Sequence, residues 1–363
     1  RVIDPGERLL ERWLTCTATT GMTHLRSPAV HNIDVSTLSL LQYAGKRRSR
    51  KPGLFMGRYK RPRLTLFNEH CEKVISDFGL DALHVRSRVV RCTVGPDRVV
   101  ATLSSGEEMT ALNTVLALGS SDQPAWPSWA PKDHPRVAHV FAPDFSGWPT
   151  SAESVIVVGA GISAVQVALR LVEEGHSVHM VSRHGLREHI FDSDSGWLGS
   201  KLMSRFQRES DVDRRREMIS KARHKGSIPP DVRRSLNHAI RIGRAHWHVG
   251  EVEQLDVGDG DFTMRVTSGV EVPAQRVLLA TGFTGQRPGG EMVDELIASA
   301  ALPCASCGYP IVDRSLRWHP RVYVSGPLAE LEMGPTARNI SGARRAADRL
   351  VTVAQAFNAN QRV

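Results

Sequence analysis

Residues 155–158 are an unbroken apolar run, Val155, Ile156, Val157 and Val158, set between Ser154 and Gly159. A half-exposed strand would alternate apolar with polar residues, so the run predicts a parallel strand buried on both faces. From Ile162 and Ser163 the pattern turns amphipathic with helical period, and SVHMVSR then supplies a second strand ending in Ser182 and Arg183. Strand, turn, helix and strand together predict a βαβ unit. Before it, RVID, ALHVRSRVVRCTV, RVVATLSS and NTVLALG read as short strands among loops rich in Pro and Arg. Pro124 to Thr150, with several Pro and Trp, reads as a linker. After the unit, residues from about 199 to 244 have helical periodicity. AHWHVGEVEQLDV, DFTMRVT, QRVLLATGF and RVYVSG read as strands, and an amphipathic helix is predicted from about Arg338 to Phe357.

The turn of the βαβ unit carries candidate chemistry. Gly159, Gly161 and Ala164 stand where a tight turn, a close backbone approach to a pyrophosphate and close helix-on-strand packing are needed. The helix N-terminus beyond Gly161 offers unpaired N–H groups to that pyrophosphate. About twenty residues on, an NAD site would place Asp or Glu against a ribose hydroxyl. Ser182 and Arg183 stand there instead, and a hydroxyl with a guanidinium suits the 2′-phosphate of NADPH. Two strands, one before and one after this unit, end in nearly the same small residues: Ala117, Leu118, Gly119, Ser120 and Ala280, Thr281, Gly282. That repetition predicts one domain inserted in another, with these strands as the crossing points.

Composition narrows the picture. At 363 residues at least two cores are expected, and no run approaches the roughly 18 apolar residues of a membrane span. RVIDPGERLL has no signal-peptide pattern and no initiator Met, so a longer gene product in the cytoplasm is expected. Five cysteines, an odd number, argue for a reducing compartment over a disulfide framework. The net charge of +9 is concentrated in Lys46, Arg47, Arg48, Arg50 and Lys51, in Arg58, Lys60, Arg61 and Arg63, and in Arg214, Arg215 and Arg216. No nucleic-acid motif accompanies these runs, so they read as solvated surface that steers an anionic dinucleotide, not as a nucleic-acid site. His184 with His189 and His246 with His248 lack a Cys or carboxylate at ligand spacing, so no metal site is expected.

The whole pattern resembles the two-dinucleotide-binding-domain flavoproteins, and among them the flavin-dependent N-hydroxylating monooxygenases of the lysine and ornithine hydroxylase kind. The resemblance implies an α/β fold of two Rossmann-like three-layer dinucleotide-binding domains, the NADPH domain inserted in the FAD domain. Residues 1–150 would open the FAD domain, 151–284 would form the NADPH domain with a helical insert at about 199–244, and 285–363 would complete the FAD domain. VIDPGERLLERW resembles the end of the family's second FAD strand, with Asp4 in the acidic position and Trp13 in the following aromatic segment; the FAD fingerprint itself would lie roughly thirty residues upstream of Arg1. GMTHLRSPAVHNID resembles the stretch that passes the flavin, making Met22, Leu25, Arg26, Ser27, Pro28 and His31 candidate contacts. His139 resembles a linker histidine of related monooxygenases, although Asp133 and Pro135 depart from the Baeyer–Villiger and sulfide-oxidising fingerprints.

The closing segment resembles the family's last FAD motif. Gly326 ends a strand, Gly334 and Pro335 open a loop, and Thr336, Ala337, Arg338, Asn339 and Ile340 start a helix whose dipole would face the reduced flavin. Gly342 and Ala343 would let that helix approach closely. The resemblance implies hydride transfer from NADPH to FAD, reaction with O2 to a C4a-hydroperoxide, and oxygen transfer to a small-molecule amine, with no protein nucleophile. Two other readings remain open: a disulfide reductase working through Cys304 and Cys307, and a non-catalytic nucleotide-sensing protein on the same fold.

Overall fold

A computed structural model describes residues 1–48, 51–258 and 260–360. The side chains of Lys46, Arg47, Arg48 and Arg50, from the first basic run, lie outside the described residues. Five parallel strands form the largest sheet, in the spatial order Ala245–Val249, Ser177–Ser182, Ser154–Val158, Arg276–Leu279 and Val137–His139. Helices Ile162–Glu173 and Pro230–Arg241 cover one face, burying Val155, Val157, Met180, Leu236 and Leu278. An antiparallel layer of Val252–Val257, Phe262–Val266 and Glu271–Ala274 covers the other, over Ile156, Val158, Val181 and Leu279. Successive residues of the central strand therefore meet alternate apolar layers, which is why the run contains no polar residue.

Two predicted boundaries move. The segment read as a linker holds Val137–His139, the fifth strand of that sheet, while Trp126 and Trp129 pack against its core. A three-residue strand among prolines is too short to show a period, so the boundary at 150 cuts through the inserted unit instead of preceding it. The helical stretch also divides. Ser200–Arg208 and Val212–Ala222 stand apart on a core of Trp197, Met203, Phe206, Ile219 and Tyr309, whereas Pro230–Arg241 packs on Ile162–Glu173 and belongs to the sheet's own crossover. Both kinds of helix are amphipathic, so periodicity alone could not separate them.

The remaining chain shares a second core drawn from both ends of the sequence. Thr114–Leu116 pairs parallel with Val322–Val324, and Val2–Asp4 pairs parallel with His84–Arg86. Leu116, Val293, Leu316, Val322, Val324 and Ala346 are packed together there. The final helix runs from Ile340 to Asn360, beginning two residues later than the pattern predicts, because Pro335–Arg338 forms a separate 3-10 turn and Asn339 is extended. Two ties hold the units together. Arg61 grips Asp231 with both terminal nitrogens, at 2.6 and 3.1 Å, and Arg170 donates to the carbonyls of Ala18 and Thr19 at the end of helix Glu11–Thr20. Among the described residues no helix is long and apolar enough to cross a membrane.

Candidate functional site

The largest sheet reverses its strand order between Ser154–Val158 and Arg276–Leu279, the place where open α/β sheets bind ligands. Gly159 makes the turn at that point with φ +142°, and a Cβ there would lie 2.5 Å from the Ala280 carbonyl oxygen and 3.1 Å from the Ala164 Cβ. Only glycine fits. Gly161 caps helix Ile162–Glu173 in extended conformation with no side chain accepting from the first turn, so the N–H groups beginning at Ile162 and Ser163 are open to an anion. Ala164 is fully buried beneath them, closing the helix onto the strand.

Beyond the turn opens a cleft of about 440 Å³, walled by Gly159, Ser182, Arg183, Glu251, Trp126 and Trp129 among others. Arg183 is exposed on this rim and, among the described residues, makes no ion pair. Ser182 differs from expectation. Its hydroxyl donates to the His184 carbonyl at 3.0 Å and accepts from the Trp247 indole at 2.9 Å. With its one proton used, Ser182 supports the turn that presents Arg183 and does not donate to a phosphate.

A second cleft, about 660 Å³, lies where the inserted helices meet both units. Ser120 and Thr281–Gly282, the ends of the two crossing strands, both reach it. Its floor is a buried ion cluster that no motif announced. Glu330, 1% exposed, receives Arg216 from the insert and Arg338 from the closing segment, the latter at 2.6 and 2.9 Å. Tyr309 lies beneath, accepting from Arg338 at 2.8 Å, with the Arg216 guanidinium 3.9 Å over its ring. Arg338 thus gives its Nε and Nη2 to Glu330 and Tyr309, so it is first of all a member of this cluster. Asn339 is corrected likewise: its carboxamide oxygen accepts from the Gly342 N–H at 2.9 Å and the Ser341 hydroxyl at 2.7 Å, which makes it the N-cap of the final helix.

The neighbouring positions fit a ligand better. The Thr336 hydroxyl is buried with no partner among the described residues, Pro335 is buried beside it, and Gly334 turns at φ +77°. Gly326, φ +61°, ends strand Val322–Val324 and starts the turn leading there. A Cβ on Gly342 would lie 2.1 Å from the Thr336 carbonyl, so the closing helix sits directly on this loop.

Of the earlier candidates, the structure brings the 22–35 stretch against that helix, since Arg344 donates to the carbonyls of Val30 and Val35. His31 is half-buried there and Ser27 nearby; burial, then the Arg344 charge, lower the His31 pKa. Met22 packs on a core containing Leu25 and Phe67, and Trp13 packs on Phe67 while donating to Asn68 at 3.0 Å. Asp4 holds the Gly6 N–H at 2.8 Å at the exposed end of its strand. Arg26 is redirected: it donates to the carbonyls of His189, Ile190, Phe191 and Ser227 and to the Ser227 hydroxyl. Burial pushes this guanidinium down to about 10, and its work is to clamp the two units together.

His139 is wholly buried, its Nε2 3.1 Å from the Thr281 hydroxyl and its Nδ1 accepting from the Phe141 N–H. Thr281 passes its own proton to the Ala125 carbonyl, which fixes His139 as the neutral Nε2–H tautomer. Burial pushes it down to about 4. Above pH 6.5 the ring is neutral folded or unfolded and carries no linkage. Below that the unfolded chain binds a proton that the fold refuses, so stability falls as pH drops, by up to about 1.4 kcal/mol per pH unit until about pH 4. Urea unfolding at pH 7.5, 6 and 5 should show this slope, and His139→Phe should make it shallower by about one proton's worth, with His179, also pushed down to about 4 by burial, sustaining a like share.

Models of the pyridine nucleotide-disulphide oxidoreductase family match residues 48–220 and 153–297. No curated protein sequence matches the chain. Among solved structures, an ornithine N-hydroxylase of Kutzneria sp. 744 is 16% identical with a TM-score of 0.76, over 98% of this chain and 92% of that one. The cadaverine monooxygenase of desferrioxamine biosynthesis from Erwinia amylovora is 14% identical at TM-score 0.72, over 96% and 87%. A bacillithiol disulfide reductase of Staphylococcus aureus is 15% identical at TM-score 0.63, over 98% and 90%. At such identities the likeness is one of fold alone: a mixed α/β chain with the architecture these solved enzymes share.

Proposed function

We propose that this chain, which has the fold of the pyridine nucleotide-linked flavoproteins, is an FAD- and NADPH-dependent monooxygenase that N-hydroxylates a small amine. The observation that carries this reading is the meeting of both crossing-strand ends, Ser120 and Thr281–Gly282, in one cleft between a nucleotide-type turn and the closing loop. When bound, the two cofactors supply hydride transfer and activation of O2. The protein supplies position. The Gly159–Gly161 turn and the helix behind it receive a pyrophosphate, and Arg183 receives a 2′-phosphate. The unpartnered Thr336 hydroxyl and the Gly334 turn fit a flavin edge.

The junction cleft holds Arg216, Arg223, Lys225 and Arg338 against Glu217 and Glu330. Surplus positive charge disfavours an ammonium there, which leaves an amine as the free base needed for nucleophilic attack. The solved ornithine N-hydroxylase and cadaverine monooxygenase act on small amines, and that supports the substrate class. The bacillithiol reductase likeness favours a second reading, a disulfide reductase. Against it, Cys304 is half-buried with its thiol pushed up by burial, Cys307 is exposed, and neither lines a cleft described above. A thiol pair that exchanges with a disulfide needs thiolate character and access to the electron donor.

The test is oxygen uptake and NADPH oxidation by the full-length, flavin-loaded protein, with and without ornithine, lysine or cadaverine. Amine-stimulated uptake supports the monooxygenase; NADPH oxidation that requires a disulfide and ignores O2 selects the reductase. Arg183→Ala should weaken NADPH use roughly tenfold to a hundredfold, the worth of a charged hydrogen-bond pair, and leave NADH use nearly unchanged.

A further inference from the structure

Part of the wall of the cleft that holds Arg183 comes from outside the βαβ unit. Ala125, Trp126, Pro127 and Trp129 line the same cleft as Gly159 and Arg183, although this segment read as a linker. Its backbone is pinned to the strand end at the switch point. The Ala125 N–H donates to the Gly282 carbonyl at 2.8 Å, the Thr281 hydroxyl donates to the Ala125 carbonyl at 2.5 Å, and the Thr284 N–H donates to the Gln123 carbonyl at 2.9 Å. The Trp126 indole N–H donates to the Ala130 carbonyl at 2.9 Å, and the buried His139 ring lies 6.2 Å behind. Trp126 has thus spent its only donor, and what it can still offer a ligand is π surface.

Both tryptophans are half-buried, so each rests on the core of the sheet and keeps surface toward the cleft. The same cleft of about 440 Å³ is lined by the Arg183 guanidinium and the Glu251 carboxylate, neither of which makes an ion pair among the described residues. Aromatic rings and a free cation lining one cleft match a ligand with a flat base at one end and a phosphate near it. We propose that Trp126 and Trp129 form the base-binding wall of the dinucleotide site and stack on adenine, so that segment 123–130 is part of the binding machinery. The inference rests on the NADPH reading above. It adds that the adenosine half, not the nicotinamide half, is gripped by aromatic contact.

The probes are 2′,5′-ADP, which carries the adenosine and the 2′-phosphate, and nicotinamide mononucleotide, which carries neither. Calorimetry on the full-length protein should show Trp126→Leu and Trp129→Leu each binding 2′,5′-ADP about five- to fifty-fold more weakly, with nicotinamide mononucleotide unaffected. Because a leucine could disturb the core, Trp126→Phe and Trp129→Phe serve as the second arm. Each should keep affinity within about threefold, and the double variant Trp126→Phe/Trp129→Phe should remove most of the tryptophan quenching that 2′,5′-ADP causes in the wild type. Leucine variants with wild-type affinity, or quenching that survives undiminished in the double phenylalanine variant, would overturn the wall and leave the NADPH reading standing. A wild-type protein that binds neither NADP+ nor 2′,5′-ADP would overturn the NADPH reading, and the wall with it.

Discussion

Gly159→Ala is expected to destabilise the protein by roughly 2–5 kcal/mol and to abolish NADP+ binding. Two costs combine. At φ +142° an alanine occupies backbone space essentially reserved for glycine, and its Cβ would sit 2.5 Å from the Ala280 carbonyl oxygen. That oxygen cannot retreat cheaply, because the Ala280 N–H is bonded to the Val158 carbonyl at 2.9 Å in the ladder between the two central strands. The strands must part or the turn must flip, and either change moves the start of helix Ile162–Glu173. Gly161→Ala is the control. Its φ is an ordinary −81° and the nearest atom to a new Cβ is Gly226 Cα at 3.7 Å, so stability should change by less than about 1 kcal/mol. Its dinucleotide affinity should still fall, because the methyl stands where a pyrophosphate approaches. Urea unfolding and calorimetry on both variants separate the effects; equal stability of the two would refute the packing account.

That contrast also shows what the sequence could and could not tell. Val155 to Val158, Gly159, Gly161 and Ala164 were legible because each is constrained by neighbours within a few residues: a buried strand, a tight turn, a close helix contact. The place of Arg183 on the rim of the cleft was legible for the same reason, since it stands at a fixed distance along the same unit. Val137–His139 was not, because three residues cannot display a period and their strand partner lies about 140 residues away. Arg26 and Arg338 were assigned from motif position alone. Their guanidinium groups are claimed by carbonyls at 189–191 and 227 and by Glu330, acceptors that only the tertiary fold brings near. Asn339 carried a local signal that the motif masked: a short polar residue just before an amphipathic helix is a cap first. Glu330 had no signal. In GPLAELEMGP it looks like one of two surface acids, and its burial depends on Arg216, 114 residues earlier.

Glu330→Ala is expected to be the most damaging single change outside the glycine turns, at about 3–5 kcal/mol. Deletion leaves two guanidinium groups, Arg216 and Arg338, with side chains 25% and 17% exposed, 3.9 and 5.9 Å from the Tyr309 ring and without the carboxylate they share. Coulomb repulsion between partly buried cations then replaces attraction to the buried Glu330. The insert helix Val212–Ala222 should detach from the closing segment, although Arg215 retains its bond to the Leu331 carbonyl at 3.1 Å. Removing one cation as well should therefore restore part of the loss: Glu330→Ala combined with Arg216→Met is expected to be more stable than Glu330→Ala alone. A nonadditive recovery of that sign belongs to a buried charge cluster and not to a packing defect, which a second truncation would deepen. Denaturant unfolding of Glu330→Ala, Arg216→Met and the double variant reads it directly. A Glu330→Ala cost below about 1 kcal/mol would mean that the cluster is solvated, and the floor of the junction cleft would have to be held by the apolar contacts of Trp197, Phe206 and Leu331 instead.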